Sequence, residues 1–283
     1  MFRYFSKTLC LILLAAAVIS SSYGGEKLRY QMVKGSTYKY VLIGDTKSTV
    51  QAMGQEMATN VGNYFGISLS VESTGPDAII LVAKVDTNLS RIESMMMKDS
   101  AMVMKEINGK RVRLTLSPLG KMVKTVVVDT IVPSRTMQMM GGANPADFLR
   151  QLFVKLPDQA VGVGDTWKNT TPDTINAQGM NLITKPDVQF KLAGTEKVGG
   201  YDCVKITFEG TASIYGTGSR QGMEMVVDGT TKSKGTTFFA PKEGLLVSID
   251  SESTSDMNIS GTGEQMFTAI QSTKSAQKMK LAK

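Results

Sequence analysis

The sequence predicts a mainly β protein (β-rich α+β), in which two duplicated antiparallel β units form curved sheets or half-barrels with a connecting amphipathic helix. Three observations predict this fold: short stretches of period-two alternation, turn signals between them, and an ordered recurrence of both about 120 residues later. Period-two alternation is typical of a strand that turns one face to a core and the other to water.

The alternating stretches place apolar residues at every second position. They are residues 67–72, 112–116, 188–192 and 204–208. Clusters of Gly, Pro, Asn and Asp separate them and favour tight turns between antiparallel strands. These clusters lie at 75–77, 108–109, 117–120, 199–200 and 241–244.

The same features recur in the same order in the second half of the chain. The stretch 34–39 resembles 163–168, which lies 129 positions later. Two strands of the first half return at offsets near 121 and 125, and the turn at 118–120 returns at 241–244. We therefore expect a first β-rich repeat over 25–140 and a second over 163–270.

A helix is predicted over 144–156, within a linker that spans 141–162. Asn144 can cap it, Pro145 suits the first helical position, and Asp147 favours the positive end of the helix dipole. An apolar stripe follows at helical spacing, formed by Phe148, Leu149, Leu152, Phe153 and Leu156. Such a stripe must be buried, so we expect the helix to lie across the sheet.

Residues 1–24 are typical of an export signal. Arg3 and Lys7 precede an apolar run over 8–19, and small residues at 22 and 24 suit cleavage. We expect an exported chain, periplasmic or extracellular, with no transmembrane anchor after signal cleavage. The other end, 271–283, is polar and basic and is expected to form a frayed tail.

The composition excludes several classes of function. The chain has no histidine, and only Cys203 remains after removal of the signal, which excludes Ser-His-Asp and Cys-His catalysis and the common zinc sites. We expect no cofactor and no metal. Removal of the signal leaves 30 basic and 25 acidic residues. The basic residues are scattered, which argues against nucleic-acid binding.

Methionine is abundant, with 19 residues, and five of them lie within 95–104. Paired methionines are compatible with a copper(I) site, with the wall of an adaptable apolar pocket, or with ordinary core packing. We expect the methionine pairs to lie near the helix stripe, where they would bind a ligand or fill the core. The candidate residues are Met102, Met104, Met137, Met139, Phe148, Leu152 and Phe153.

Short motifs along the chain resemble the DUF6263 family of bacterial exported proteins, which has no assigned function. They include Lys34-Gly35-x-x-Tyr38, Pro118-x-Gly120-Lys121, Phe153-x-x-Leu156-Pro157 and Val163-Gly164-Asp165-Thr166-Trp167. Many members resemble lipoproteins with an acceptor cysteine, which this chain lacks. The pattern is also similar, at fold level, to half-barrel proteins that carry lipids or lipoproteins across the periplasm.

These features together favour a non-catalytic binding protein of the cell envelope. It would hold a lipid or another hydrophobic ligand between a curved sheet and a helix, and an envelope protein is a possible partner. Two alternatives stay open. One is a carboxylate-dependent hydrolase of envelope glycans, and the other is a methionine-based copper(I) binder.

Overall fold

The computed structural model describes residues 25–95, 100–132, 149, 152–177, 180–220, 223–262 and 266–282. Its regular elements are β-strands: β1 (Thr37–Ala52), β2 (Gln55–Thr74), β3 (Ile79–Ser94), β4 (Ser100–Met102), β5 (Arg111–Leu116), β6 (Met122–Val127), β7 (Thr166–Asn169), β8 (Asp173–Ala177), β9 (Met180–Val198), β10 (Tyr201–Arg220), β11 (Met223–Ala240), β12 (Leu245–Thr262) and β13 (Phe267–Leu281).

The strands form one antiparallel sheet in the order β6-β5-β3-β2-β1-β13-β12-β11-β10-β9-β7. Strand β4 pairs with β3, and β8 pairs with β9. The sheet is curved and not closed. The prediction of a mainly β, antiparallel and curved fold is confirmed, and both halves of the chain belong to one continuous sheet.

The pairing registers repeat between the two halves. Tyr38 lies opposite Leu69 on β1 and β2, and Trp167 lies opposite Phe190 on β7 and β9. The offsets between these pairs are the 129 and 121 positions that the sequence suggested. Both halves also have the same order, with β1-β2-β3-β5-β6 matching β7-β9-β10-β11-β12.

An irregularity in the sheet repeats as well. Glu72 is skipped in the pairing of β2 with β3, because Val71 and Ser73 face consecutive residues. Ala193, which lies 121 positions later, is skipped in the same way between β9 and β10. A bulge inserts one unpaired residue and bends its strand, so both halves bend at the same point.

The hydrophobic core lies at one end of the sheet, which we call the base. It contains the first residues of β1, β3, β10 and β12 and the last residues of β2, β11 and β13. An N-terminal strap, residues 26–32, crosses the base. Its Leu28, Tyr30 and Met32 are fully buried, and the residues between them are not.

The predicted helix over 144–156 is not supported in its described part, which is Leu149 and residues 152–156; the other residues of that range lie outside the described residues. Within that range Leu149 is helical and Leu152 is in a tight turn, whereas Phe153 to Leu156 are not helical. Val154 and Leu156, two positions apart, are both buried. Their N–H groups bond to the Tyr30 hydroxyl at 3.0 Å and the Leu119 carbonyl at 2.9 Å instead of to an earlier helical turn. Tertiary contacts therefore override the helical pattern.

The frayed tail predicted for 271–283 is wrong up to Leu281. These residues belong to β13, which pairs with β1 on one side and β12 on the other. Its three lysines, Lys274, Lys278 and Lys280, all lie on one face and the other face is uncharged, so the period-two pattern carries charge instead of hydrophobicity. A search for apolar alternation therefore misses a strand near the middle of the sheet.

We predict that Gly120→Ala destabilises the fold much more than Gly109→Ala. Both glycines have positive φ, 81° and 74°, where a Cβ costs about 1–2 kcal/mol. At Gly109 a Cβ would meet nothing within 4 Å, but at Gly120 it would lie 2.2 Å from the Val154 carbonyl oxygen. Overpacking there should add about 1–3 kcal/mol.

The measurement is the free energy of unfolding from denaturant titration of both variants. Gly109→Ala is the control, because it carries the backbone strain without the collision. Equal losses in the two variants would show that the segment at Val154 does not press on the turn at Gly120.

Candidate functional site

Beyond the base, the sheet continues as seven neighbouring strands that we call the distal sheet. It comprises 44–52, 55–65, 180–190, 208–218, 225–237, 249–261 and 267–279. Because directly opposed residues share a face, the registers assign each side chain to one of two faces. One face continues from the core residues Tyr40 and Leu42, and the other is the outer face.

No Asp, Glu, Lys or Arg of the distal sheet lies on the face that continues from the core. We call this the neutral face. Its side chains are small or uncharged: Ser, Thr, Gly, Ala, Asn, Gln, Pro and apolar residues. The charged residues of the same strands, such as Asp45, Lys47 and Glu209, all lie on the outer face.

Hydroxyl-bearing side chains form two rows across the middle of the neutral face. The first row is Thr46, Ser275, Ser253 and Ser233, and the second is Thr59, Ser48, Thr273, Ser255 and Thr231. Within these rows, hydrogen bonds link Thr46 to Ser275 at 3.1 Å, Ser48 to Thr273 at 3.2 Å, and Thr231 to Ser255 at 2.8 Å. Many of the hydroxyls therefore satisfy one another.

Apolar residues flank the hydroxyl rows at the far end of the neutral face. Ala269 lies opposite Ile259, which in turn lies opposite Val227. Val227 and Ala269 are buried, although they are distant from the base. The neutral face thus has a polar, uncharged middle between two apolar regions.

The outer face carries opposite charges in directly opposed positions. Lys234 faces Glu252 with their charged atoms 3.3 Å apart, and Asp250 faces Lys278 at 3.2 Å. Such exposed pairs contribute little stability, but they keep the outer face solvated. The two faces of the distal sheet therefore differ in charge.

The sheet bends toward the neutral face. An added Cβ on Gly210 or Gly229, both on that face, would lie 2.3 Å from a carbonyl oxygen of the adjacent strand. Just above the base, four adjacent strands enclose a cavity of about 300 Å³ lined by Leu42, Phe65, Thr46, Asn63 and Ser253 among others. A flat sheet has no such cavity, so this face is concave.

The methionine candidates are placed as follows. Met102 ends β4 opposite Ser90 and is half-buried, whereas Met104 belongs to the buried core. The Asn88 side chain holds Met104 by accepting from its N–H at 2.8 Å and donating to its carbonyl at 3.0 Å. This arrangement fixes Met104 in the base, outside the distal sheet.

Of the aromatic and aliphatic candidates, Leu152 is buried in the core and Phe153 packs against it. The Phe153 ring meets Tyr30 edge-on with centroids 5.6 Å apart. Met137, Met139 and Phe148 lie outside the described residues. A ligand-binding role for any of the seven stays a prediction.

Two other residues, Asp165 and Cys203, have structural positions. Asp165 is a turn residue before β7, because its carboxylate accepts from the Gly162 N–H at 2.8 Å. Cys203 is a buried thiol, and its burial raises its pKa above the usual value. A raised pKa reduces the thiolate fraction at neutral pH and makes the residue a poor nucleophile.

The described ranges lack both a metal-binding cluster and a membrane-spanning helix. They contain no cluster of three or more Asp, Glu, Cys or His side chains arranged to hold a metal ion. They also contain no helix with the length and hydrophobicity needed to span a membrane.

The neutral face was not predicted, although one signal for it exists in the sequence. In Asp250-Ser251-Glu252-Ser253-Thr254-Ser255-Asp256, acidic residues and serines alternate almost strictly. A count of charge at period two would have assigned every acid to one face. Hydrophobic alternation, which marks the other strands, is absent from this segment.

Comparison with known proteins supports the fold and gives no family. No protein-family model matches the chain, and no curated protein matches it in sequence. The resemblance to DUF6263 therefore stays a prediction.

Among solved structures, the chain is similar to lipovitellin, in a study of lipid–protein interactions, with a TM-score of 0.50 and 12% identity. The match covers 89% of this chain but 26% of the lipovitellin chain, so the protein spans about a quarter of that length. An outer membrane channel from Pseudomonas putida and OccK11 from Pseudomonas aeruginosa align at 8% identity, with TM-scores of 0.26 and 0.23. These two values are too low to support an argument.

We predict that Gly210→Ala destabilises the protein, whereas Gly44→Ala does not. Both glycines lie on the neutral face, but a Cβ at Gly44 would be 3.8 Å from its nearest neighbour instead of 2.3 Å. The crowded site should lose about 1–3 kcal/mol through overpacking. At the open site, lower entropy of the unfolded chain should give a gain of about 0.4–1 kcal/mol. Thermal and denaturant unfolding would measure both, and a tolerated Gly210→Ala would contradict the bend.

Proposed function

We propose that this is a non-catalytic binding protein whose neutral face holds a hydrophobic ligand, such as the acyl chain of a lipid. The observation that carries the proposal is the absence of charged side chains from the concave face of seven consecutive strands. The covering of an ionised group by an acyl chain would cost several kcal/mol, and the seven strands present none on this face. The acid Asp173, opposite Thr184 on the edge strand β8, lies beyond them.

The hydroxyl rows are compatible with an apolar ligand because six of their nine hydroxyls bond to one another in pairs. A hydroxyl that loses water without a partner costs about 1–3 kcal/mol. Thr46, Ser275, Thr231 and Ser255 keep their cross-strand hydrogen bonds when water leaves. Each methylene of a ligand removed from water would contribute about 0.8 kcal/mol.

The structural likeness gives coarser support. Lipovitellin is a protein whose interactions with lipid have been described, and its fold is similar to that of this chain. The likeness is one of fold, and fold does not determine function. The argument for a hydrophobic ligand therefore rests on the residues of the neutral face.

We expect Ser253→Lys to weaken binding and Thr254→Lys to leave it unchanged. Ser253 lies in the hydroxyl row of the neutral face and lines its cavity, whereas Thr254 is its neighbour on the outer face. An ammonium group beneath an acyl chain would be buried without a partner, so affinity should fall at least about tenfold.

The measurement is titration of each purified protein with a fluorescent long-chain fatty acid. Circular dichroism and thermal unfolding confirm that both variants are folded. Thr254→Lys adds the same charge to the same strand and is the matched control. A wild-type protein that shows no saturable binding, or two variants that bind equally well, would refute the proposal.

We further propose that the protein acts in the cell envelope after export, on the basis of the signal-like residues 1–24. The expected result is a mature protein that lacks these residues when it is recovered from its host. Intact mass spectrometry measures this directly. A full-length chain that begins at Met1 in the cytosolic fraction would refute export without affecting the binding proposal.

A further inference from the structure

A second cavity of about 720 Å³ lies at the base, between elements from opposite ends of the sheet. The segment 154–157 passes between the β5–β6 turn and β7. Its Leu156 N–H donates to the Leu119 carbonyl at 2.9 Å, and its Lys155 carbonyl accepts from Trp167 Nε1 at 3.2 Å. These bonds fix both walls of the cavity, which we call the basic pocket.

Five basic side chains line the basic pocket, together with one carboxylate. The basic residues are Lys27, Arg29, Lys121, Lys155 and Lys168, and the acid is Asp158. Asp158 is already paired with Arg29 at 3.1 Å, and Lys168 is paired with Asp187 at 3.3 Å. In the described part of the chain, neither Lys27 nor Lys121 lies within ion-pair distance of a carboxylate.

Lys155 is the most constrained of these cations. It is half-buried, and its ammonium donates to Asn169 Oδ1 at 3.1 Å. Burial has the largest effect on its pKa and lowers it. The carboxylate of Asp173 raises the pKa, and the positive charge of Lys121, the smallest of the three effects, lowers it. Lys121 and Lys155 both line the basic pocket.

An aromatic wall completes the pocket. Trp167 stacks on Phe190 with ring centroids 5.5 Å apart and an interplanar angle of 9°. Trp167 and Phe190 are directly opposed, and both lie on the same face of the sheet as the neutral face. The basic pocket therefore borders that face at the edge of the sheet.

We propose that the basic pocket binds a phosphate group, either free phosphate or the headgroup of an amphiphile. Lys27 and Lys121, which pair with no carboxylate among the described residues, lie beside the half-buried Lys155 and leave an excess of positive charge inside a concave site. A phosphate monoester carries about −1.5 to −2 charges at neutral pH, which matches that excess. The ammonium groups would donate charge-assisted hydrogen bonds to its oxygens.

This site is separate from the neutral face, and its test does not depend on binding of an acyl chain. Isothermal titration with inorganic phosphate, and with short-chain phosphatidic acid below its micellar concentration, measures the affinity of the full protein. The double variant Lys121→Gln/Lys155→Gln should bind both probes at least about tenfold more weakly.

The matched control is Lys47→Gln/Lys274→Gln. These lysines face each other across β1 and β13 on the outer face, so the control removes two neighbouring positive charges at a distance from the pocket. Its affinity should stay within about twofold of wild type. If the pocket double variant does not fold, the exposed Lys27 provides a milder test as Lys27→Gln.

The two probes distinguish the source of the phosphate. Equal affinity for both supports free phosphate or a phosphate ester, and tighter, competitive binding of phosphatidic acid supports a lipid headgroup. Absence of phosphate binding by the wild-type protein would overturn the proposal. Equal weakening in both double variants would also overturn it, because it would show an effect of net charge alone.

Discussion

Tyr30 joins three parts of the chain that are distant in sequence. Its N–H donates to the Pro118 carbonyl in the first repeat at 2.9 Å, and its ring packs edge-on against Phe239 in the second. Its hydroxyl donates to the Val154 carbonyl at 3.3 Å and accepts from the Val154 N–H at 3.0 Å, in the connecting segment. Burial raises its pKa, so the hydroxyl stays protonated at neutral pH and keeps both bonds. The remainder of the base is arranged around this residue.

The same strap explains why both repeats keep a glycine at one turn. Gly120 and Gly244 occupy corresponding positions after β5 and β11, and an added Cβ on either would collide with a neighbouring segment. At Gly244 the collision is with the strap backbone at Gln31, whose N–H donates to the Gly244 carbonyl at 3.0 Å. One segment therefore bonds to the turns of both repeats. The base is fixed on both sides, whereas the distal sheet beyond it depends on its own strand pairing and side chains.

The fold was largely predictable because its strands and turns carry local signals. Apolar alternation marks the base portions of the strands, and Gly and Pro mark the turns, so the repeat could be read at nearly the offsets that the registers show. The failures have specific causes. The segment 153–156 has an apolar spacing that suits both a helix and an extended chain, and contacts with Tyr30 and Leu119 decide between them. The segment 271–281 lacks apolar alternation, although its charges alternate.

The candidate sites were less predictable than the fold, for two different reasons. The neutral face has a local sequence signal, which is the alternation of charged and uncharged residues. A hydrophobicity pattern does not detect this signal. The basic pocket has no local signal at all. The pocket lysines are far apart in sequence and follow no period: Lys27, Lys121 and Lys155. They line one cavity because the strap and the connecting segment cross at the base.

Charge also relates the two proposed sites to each other. An anionic headgroup above the neutral face would lose water and gain no cation. In the basic pocket it would meet Lys27 and Lys121, which pair with no carboxylate in the described part of the chain. The preference for the pocket is electrostatic and weakens with added salt, since the Debye length falls to about 8 Å at physiological ionic strength. The preference of an acyl chain for the neutral face is hydrophobic and strengthens with salts that are excluded from protein surfaces. An amphiphile that occupied both sites would therefore have a single orientation, with its headgroup at the edge of the sheet beside Trp167 and its acyl chain across the hydroxyl rows. Opposite responses to salt would separate the two contributions to its binding.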